Sequence, residues 1–440
     1  MQKLLSKAKL LPIGICAFMF FFSYVMRINL GIPFFLILLY LSFYKNFIKI
    51  KNARLLNLSF LFLISFSLGY YLIQQGLSFY FIPIAIIPML SVLLFNNLSI
   101  AYFLSLGTSI CLAILCPEPF KAGFIFMTAC TGAILLVNKT RKRAQVIQAG
   151  VIAGLLQLVS LILLENLLFN HPQRYLIILI NGLLSGVISL GVLPLFEYIL
   201  QTVTNISLLE LADSNHPVLQ RMVLEAPGTY HHSLIVGNLS DTACVAVGAN
   251  GLLARIGAYY HDIGKLQKPE YFIENQDIKK NAHDELTPTM SKLIIMNHIK
   301  EGLELAKKYS LSPALWDFIK QHHGKSLVYY FYRRALEGKE ENQEVAEEGF
   351  RYPGPKPNTK ETAIVLLADS VEAATRSLKD PTFDKIAETV HKVINNKFID
   401  GQLDECELTL NDLEKISSVF TKILSGIYHS RVNYPQEARG

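Results

Sequence analysis

His261 and Asp262 stand side by side in the stretch YYHDIGK, residues 259–265. An imidazole takes one borderline-soft metal, whereas a carboxylate has two oxygens and can bridge two. The pair closes an apolar run, residues 252–260, and is followed by Gly264. That order predicts a helix end and a turn at which the backbone comes close to a ligand. Lys265 adds a compact positive charge beside it. Taken alone, such a pair is weak evidence, because most His-Asp neighbours are surface residues or caps.

The rest of the chain supplies further ligand types. Eight of the 11 histidines fall between residues 216 and 323. His231 and His232 open one amphipathic stretch, His298 lies inside another, and His322 and His323 end a third. Asp369 follows Ile364, Val365, Leu366, Leu367 and Ala368 in a strongly apolar run. Each residue has an ordinary reading: a hydrogen-bonded core histidine, an exposed pair at a helix end, an acid paired with a distant base. Together, at the ends and inner faces of successive helices, they favour a metal site. A buried acid among many imidazoles is best explained by cations that keep it charged. His216, beside Pro217, reads as a surface residue.

The elements that must position these groups are helical. Apolar residues recur at helical spacing over 234–247, 252–260, 291–308, 313–322, 362–377 and 411–428, and no long run alternates with period two. Residues 336–348 form a Glu/Lys-rich tract that reads as a solvated loop. The second half is thus expected to be all-α.

The first half is of another kind. The chain is 51% hydrophobic and 17% charged, with mean hydropathy +0.34, too apolar for a soluble protein of this size. Residues 1–200 hold 14 Lys/Arg against Glu118, Glu165 and Glu197, a balance of +11; residues 201–440 hold 27 against 32 acids, a balance of −5. The basic excess therefore belongs to the apolar half, and a duplex-nucleic-acid surface is not expected. Eight spans are predicted, at about 11–26, 30–44, 56–75, 78–97, 99–116, 122–138, 146–169 and 175–198. Lys3, Lys7 and Lys9 precede an apolar run without a convincing cleavage site, so the first run reads as an anchor. With the N-terminus inside, that cluster, Lys45/Lys49/Lys51/Arg54 and Lys139/Arg141/Lys142/Arg143 all fall on the cytoplasmic side. The same count puts everything after residue 198 in the cytoplasm. Ionisable residues are scarce in the spans, Glu165 being read as water-facing near an outer end, and this disfavours transport. The last span is expected to run on as a linker helix through Asp213. The domains expected are a transmembrane region (1–199), a linker (200–220) and a catalytic domain (221–435). The six cysteines show neither a disulfide framework nor a zinc-ribbon spacing.

The order His232, His261-Asp262, His298, His322, His323, Asp369 resembles the HD-domain metal-dependent phosphohydrolases of the two-metal subgroup. The longer words EAPGTYHHS (225–233), YYHDIGK (259–265), FIENQ (272–276), QHHG (321–324) and RYPGPKP (351–357) resemble the membrane-anchored 7TM-HD family, which includes the PgpH-type cyclic-di-AMP phosphodiesterases. The resemblance is close over roughly 200–435 and architectural in the membrane half. It implies a polytopic helix bundle followed by a cytoplasmic all-helical HD domain in a bacterial-type inner membrane. It assigns His232, His261, Asp262 and Asp369 to one divalent transition metal, and Asp262, His298, His322 and His323 to another. Asp262 is then the bridge, and manganese or iron the metal. His283, in the family's loop, reads as structural. The family usually carries a large extracytoplasmic domain after its first span; here only residues 27–29 separate the first two.

The function implied is hydrolysis of a cyclic dinucleotide, cyclic di-AMP to linear pApA, by a two-metal-activated hydroxide. Lys265 is placed to pair with a phosphate oxygen, and Arg351, Tyr352 and Lys356 are candidates for contact with phosphate or a purine face. Two alternatives stand: an HD hydrolase of another nucleotide phosphate, and a catalytically inactive nucleotide-binding membrane receptor. The ligand set is complete, which a binding-only protein does not need. No stretch specifies adenine over guanine or fixes an oligomeric state, and a homodimer is one arrangement allowed.

Overall fold

The computed structural model describes residues 52–138, 140–165, 172–276, 281–338 and 345–428. The first two expected spans, their basic clusters up to Lys51 and the loop between them lie outside the described residues, as do Lys139 and much of the Glu/Lys-rich tract. The chain separates into two units, Met1–Ile206 and Ser207–Gly440.

In the first unit the apolar runs become helices α1 (Asn52–Gln74), α2 (Ile86–Phe95), α3 (Leu98–Ile114), α4 (Pro119–Val137), α5 (Arg143–Leu164) and α6 (Pro172–Leu200). Three of them, α4 to α6, are long and apolar enough to cross a membrane; the apolar helical stretches Phe60–Gln74, Phe79–Phe95 and Leu98–Ile114 are shorter. Leu135, Val159, Leu163, Leu176 and Leu195 stand exposed on α4 to α6, the surface expected where lipid is the solvent. This is a membrane protein.

Close packing of α5 on α6 follows from four glycines. A Cβ on Gly182 would meet the Gly154 Cα at 2.5 Å and the Gly150 carbonyl oxygen at 2.6 Å. Gly150/Gly154 and Gly182/Gly186 are each spaced by four, so both helices present a small face and their backbones meet.

Three expectations are corrected here. The stretch 78–97 is not one helix: a 3₁₀ turn, Phe79–Phe81, is followed by extended Ile82 and Pro83 before α2 begins. Proline has no N–H to continue the ladder. Glu165 is not simply hydrated: it takes Lys121 Nζ at 3.0 Å, Tyr175 Oη at 2.9 Å and Arg174 Nη1 at 3.5 Å. The linker is not a continuation of α6. That helix passes through Pro194 and stops at Leu200, Gln201 is left-handed, and a separate helix α7 (Asn205–Leu211) follows.

The second unit is all-α among the described residues. Its helices are α8 (Pro217–Glu225), α9 (Pro227–Ala246), α10 (Gly251–Tyr260), α11 (Pro288–Lys308), α12 (Pro313–Gln321), α13 (Tyr329–Glu337), α14 (Lys360–Arg376), α15 (Phe383–Ile399) and α16 (Leu410–Ile427). Their starts are chemically marked. Asn250, Thr287, Thr359, Thr382 and Thr409 each accept a hydrogen bond from the first-turn backbone, satisfying donors that the helix leaves unpaired. Helix α14 is the axis of the unit: Thr362 to Asp369 are all buried, and α9, α10, α12, α15 and α16 pack around it.

Helices α13 and α15 were not anticipated. On α15 only Ile386, Val390 and Ile394 are buried, one residue per turn, which is a narrow stripe to read among charges. His216 is not a plain surface residue. It lies edge-on to Tyr260 at 5.5 Å, and its Nδ1 is buried without a hydrogen-bond partner; burial pushes its pKa down.

Candidate metal centre

Five elements deliver seven side chains to one place. His232 comes from the second turn of α9 and His298 from the middle of α11. His261 and Asp262 follow the end of α10, His322 and His323 follow α12, and Asp369 projects from α14. His232 is buried whereas its neighbour His231 is exposed, because successive helical residues point about 100° apart and His232 is the one turned to the core.

The seven form two groups that share one residue: His232, His261, Asp262 and Asp369, and Asp262, His298, His322 and His323. Within each group one ligand-type atom per residue lies within 4.8 Å of all the others. Asp262 divides its oxygens between them. Its Oδ2 faces His261 Nε2 at 3.1 Å and His232 Nε2 at 3.8 Å. Its Oδ1 faces His298 Nε2 and His322 Nε2, each at 3.5 Å. Asp369 Oδ1 is 3.0 Å from His232 Nε2, and its Oδ2 is 3.5 Å from His323 Nδ1.

The ring nitrogens pointing outward explain why the inward ones are available. His261 Nδ1 donates to the Ala258 carbonyl at 2.6 Å, His298 Nδ1 to that of Ile295 at 2.5 Å, and His322 Nδ1 to those of Phe318 and Ile319 at 3.0 Å. With the proton on Nδ1, each Nε2 keeps its lone pair, the tautomer a metal ligand requires. His298 Nε2 and His322 Nε2 then face each other at 3.1 Å, two lone pairs that need a cation between or beside them. His261 Nε2 and Asp262 Oδ1 are buried with no hydrogen-bond partner. These orphaned atoms and the nitrogen-and-carboxylate donor set fit two divalent transition metals.

The electrostatics agree. Burial pushes the Asp262 carboxyl up, but the His261 imidazole and the Lys265 ammonium outweigh it and hold the group well below the carboxylate range. Asp369 is likewise lowered against its burial, chiefly by its hydrogen bond with His232. Burial pushes His298 down to about 4 and His323 well below its usual value, so both stay neutral.

Lys265 is neither a surface lysine nor a free charge. Its Nζ sits 2.8 Å from Asp262 Oδ2 and 2.7 Å from Glu274 Oε1, above the Phe272 ring. Glu274 also accepts from Thr229 Oγ1 at 3.1 Å, which ties the 269–275 segment to α9. Gly264 serves a different purpose from the one expected. Its backbone lies against the turn of α11 from His298 to Gly302, where a Cβ would be 2.5 Å from the Gly302 nitrogen and nearer still to the His298 carbonyl. The glycine admits a helix, not a ligand, and so holds His298 against Asp262.

The other expected contact residues separate. Tyr352 lies at the site, stacked on His323 with ring centroids 4.3 Å apart. Arg351 is held by Asp400 Oδ1 at 2.9 Å and by Glu347, and Lys356 by Asp404 at 3.1 Å. His283 is structural: its Nε2 donates to the Tyr271 carbonyl at 2.8 Å and its ring packs on Phe331. Sequence reasoning missed Glu372, whose Oε2 is 2.5 Å from His232 Nδ1. The available signal was a second acid one turn after Asp369 in the same apolar helix.

Comparison with known proteins follows the same division. A family model described as "7TM receptor with intracellular HD hydrolase" matches residues 15–204, and the HD-domain model matches 229–374. A Bacillus subtilis protein named "Cyclic-di-AMP phosphodiesterase PgpH" is 40% identical over 372 residues, 82% of this chain and 52% of its own length. Its namesake from Listeria monocytogenes is 36% identical over 411 residues, 92% of this chain and 54% of that protein. The chain thus spans about half the length of the curated relatives it matches. The crystal structure of the Listeria PgpH HD domain is 46% identical and covers 49% of this chain and all of that one, with a TM-score of 0.47. Two consecutive matches, a membrane region and an HD domain in this order, show that the chain belongs to the family of 7TM receptors with an intracellular HD hydrolase.

Proposed function

We propose that this chain is a membrane-anchored, metal-dependent phosphodiesterase that hydrolyses a cyclic dinucleotide, with cyclic di-AMP as substrate and linear pApA as product. The observation that carries this reading is Asp262, whose two oxygens face two separate groups of imidazoles. The names of the two curated relatives supply the substrate.

One metal would be held by His232, His261, Asp262 and Asp369, the other by Asp262, His298, His322 and His323, with manganese or iron as the metal. When bound, such a pair supplies an activated water and neutralises charge on a phosphodiester. The chain's own residues do the rest. Lys265 offsets the charge of the buried Asp262 and fixes its orientation. Glu372 holds the His232 ring. His323 and Asp369 have side chains 21% and 11% exposed, while the other five are 3% exposed or less. The substrate therefore enters on the His323–Asp369 side, beside Tyr352. Water adds to phosphorus, one P–O3′ bond breaks, and the 3′-oxygen leaves with a proton.

The eight-span arrangement, in which the broken stretch 78–97 counts as one crossing, with the HD domain on the cytoplasmic side of a bacterial inner membrane, is part of the same proposal. It is supported by the three basic clusters, which that count puts on one side of the bilayer.

The test uses the full chain in lipid nanodiscs loaded with Mn²⁺ or Fe²⁺. It is incubated with cyclic di-AMP, cyclic di-GMP and guanosine tetraphosphate, and products are separated by chromatography. Linear pApA from the first is the expected result. Tight binding without turnover under either metal would overturn it in favour of a receptor.

A further inference from the structure

Around the open side of the metal centre almost every cation is matched by a carboxylate. Lys265 has Asp262 and Glu274, Arg351 has Asp400 and Glu347, and Lys356 has Asp404. Lys397, on α15, is different. Its Nζ donates to Ser326 Oγ at 2.7 Å, and among the described residues no carboxylate oxygen lies within 4.0 Å of it. A half-buried ammonium whose hydrogen-bond partner is a neutral hydroxyl, with the Asp369 and Asp400 carboxylates acting only from beyond ion-pair distance, gains from an arriving anion.

Its location says which anion. Ser326 is buried, its N–H donates to the His323 carbonyl at 3.0 Å, and its own carbonyl accepts from Tyr352 N at 3.0 Å. Ser326 is thus tied by backbone bonds to the exposed imidazole and to the ring stacked on it. Burial, the larger influence, lowers the Lys397 pKa, while the Asp369 and Asp400 carboxylates favour its charged form and Arg351 opposes it. Lys397 therefore stands beside the two most exposed members of the metal centre, on the side by which a substrate reaches it.

We propose that Lys397, with the Ser326 hydroxyl, is the receptor for a phosphodiester anion of the substrate outside the metal pair, which in a cyclic dinucleotide is the phosphate not being cleaved. The proposal rests on the phosphodiesterase reading. It assigns Lys397 to binding, so its loss raises KM and leaves the metals in place. Neither Arg351 nor Lys356 takes this part, because each is already neutralised.

The experiment compares the full chain with Lys397→Met, Lys397→Arg and Ser326→Ala in nanodiscs, all loaded with Mn²⁺. Metal content, melting temperature, and KM and kcat on cyclic di-AMP are measured for each. A charge-assisted hydrogen bond corresponds to about 10- to 100-fold in affinity. Lys397→Met is expected to raise KM by that factor, with kcat changed by less than about threefold and metal content equal to wild type. Ser326→Ala follows with a smaller rise, and Lys397→Arg recovers part of the loss. An unchanged KM in Lys397→Met, with wild type active, overturns the assignment of Lys397 alone. A loss of metal or a drop confined to kcat overturns it as well, since the residue then supports the centre rather than the substrate. If wild type neither binds nor cleaves cyclic di-AMP, the phosphodiesterase reading fails and this inference fails with it.

Discussion

Replacing Gly264 by alanine adds a single methyl group, and the structure says which half of the metal centre it should damage. The new Cβ would sit 2.5 Å from the Gly302 nitrogen and closer to the His298 carbonyl, whereas real Cβ contacts essentially never fall below 3.0 Å. Clearing the nitrogen alone takes 0.5 Å, and the carbonyl requires more. The atoms in the way are backbone on both sides, so no side chain can rotate aside, and α11 must move as a body. Metal–ligand distances tolerate only about 0.2 Å. His298 should therefore leave the group it shares with Asp262, His322 and His323, while His232, His261, Asp262 and Asp369 lie on elements that need not shift. Overpacking of this kind costs about 1–3 kcal/mol, which a domain of this size survives. The assay is metal content per chain by inductively coupled plasma mass spectrometry on purified Gly264→Ala, alongside its thermal melt. A fall from two metals to one in a folded protein is the expected result. Two metals retained at wild-type affinity would refute both the packing argument and the role given to His298.

Other perturbations test other parts of the arrangement. Asp262→Ala removes the shared carboxylate, so both metals should be lost and cyclic di-AMP turnover should fall below detection; one metal retained would show that the groups are independent. Glu372→Gln keeps the shape but removes the charge on His232 Nδ1, and metal affinity measured by chelator competition should drop about 10- to 100-fold. In the metal-free protein, burial lowers the His232 pKa, but hydrogen bonds to Asp369 and Glu372 outweigh it and raise it to about 9 from 6.5. A value raised on folding stabilises fully below about 6.5 and is lost as pH climbs through 9, so metal-free melts should fall across that window. Since a ligand imidazole must be neutral, metal binding near pH 7.5 should release close to one proton from His232, readable from calorimetry in buffers of different ionisation enthalpy; no release would sink the idea. Gly182→Leu, which drives a side chain into the Gly150–Gly154 backbone, should lower the melting temperature of the full chain in detergent, and an unchanged melt would mean that α5 and α6 do not need their close approach.

Much of this protein is readable along the chain because its signals are local. The apolar density of the first half, the helical spacing of the second and the ligand types His232, His261, Asp262, His298, His322, His323 and Asp369 are properties of neighbouring residues. Longer motif words around them carry the family. The caps at Asn250, Thr287, Thr359 and Thr409 are equally local, which is why the starts of these helices fall close to where the periodicity begins. By contrast, α13 and α15 bury so few apolar side chains that their pattern is lost among charges, and they form because a core already exists for them to cover.

What tertiary structure alone decided are the partners of each charge. Lys265 looks in sequence like a free charge for a phosphate, yet folding brings Glu274 and Asp262 onto its ammonium. Arg351 and Lys356 look equally suited to a substrate, yet Asp400 and Asp404 reach them from the end of α15 and the turns after it. Lys397 looks like any surface lysine of a charged helix, and it stands apart because the fold puts a hydroxyl on its ammonium and keeps Asp369 and Asp400 beyond ion-pair distance. Whether a charge is available to a ligand depends on what else the chain brings within a few ångström of it, and that is a distance no local pattern encodes.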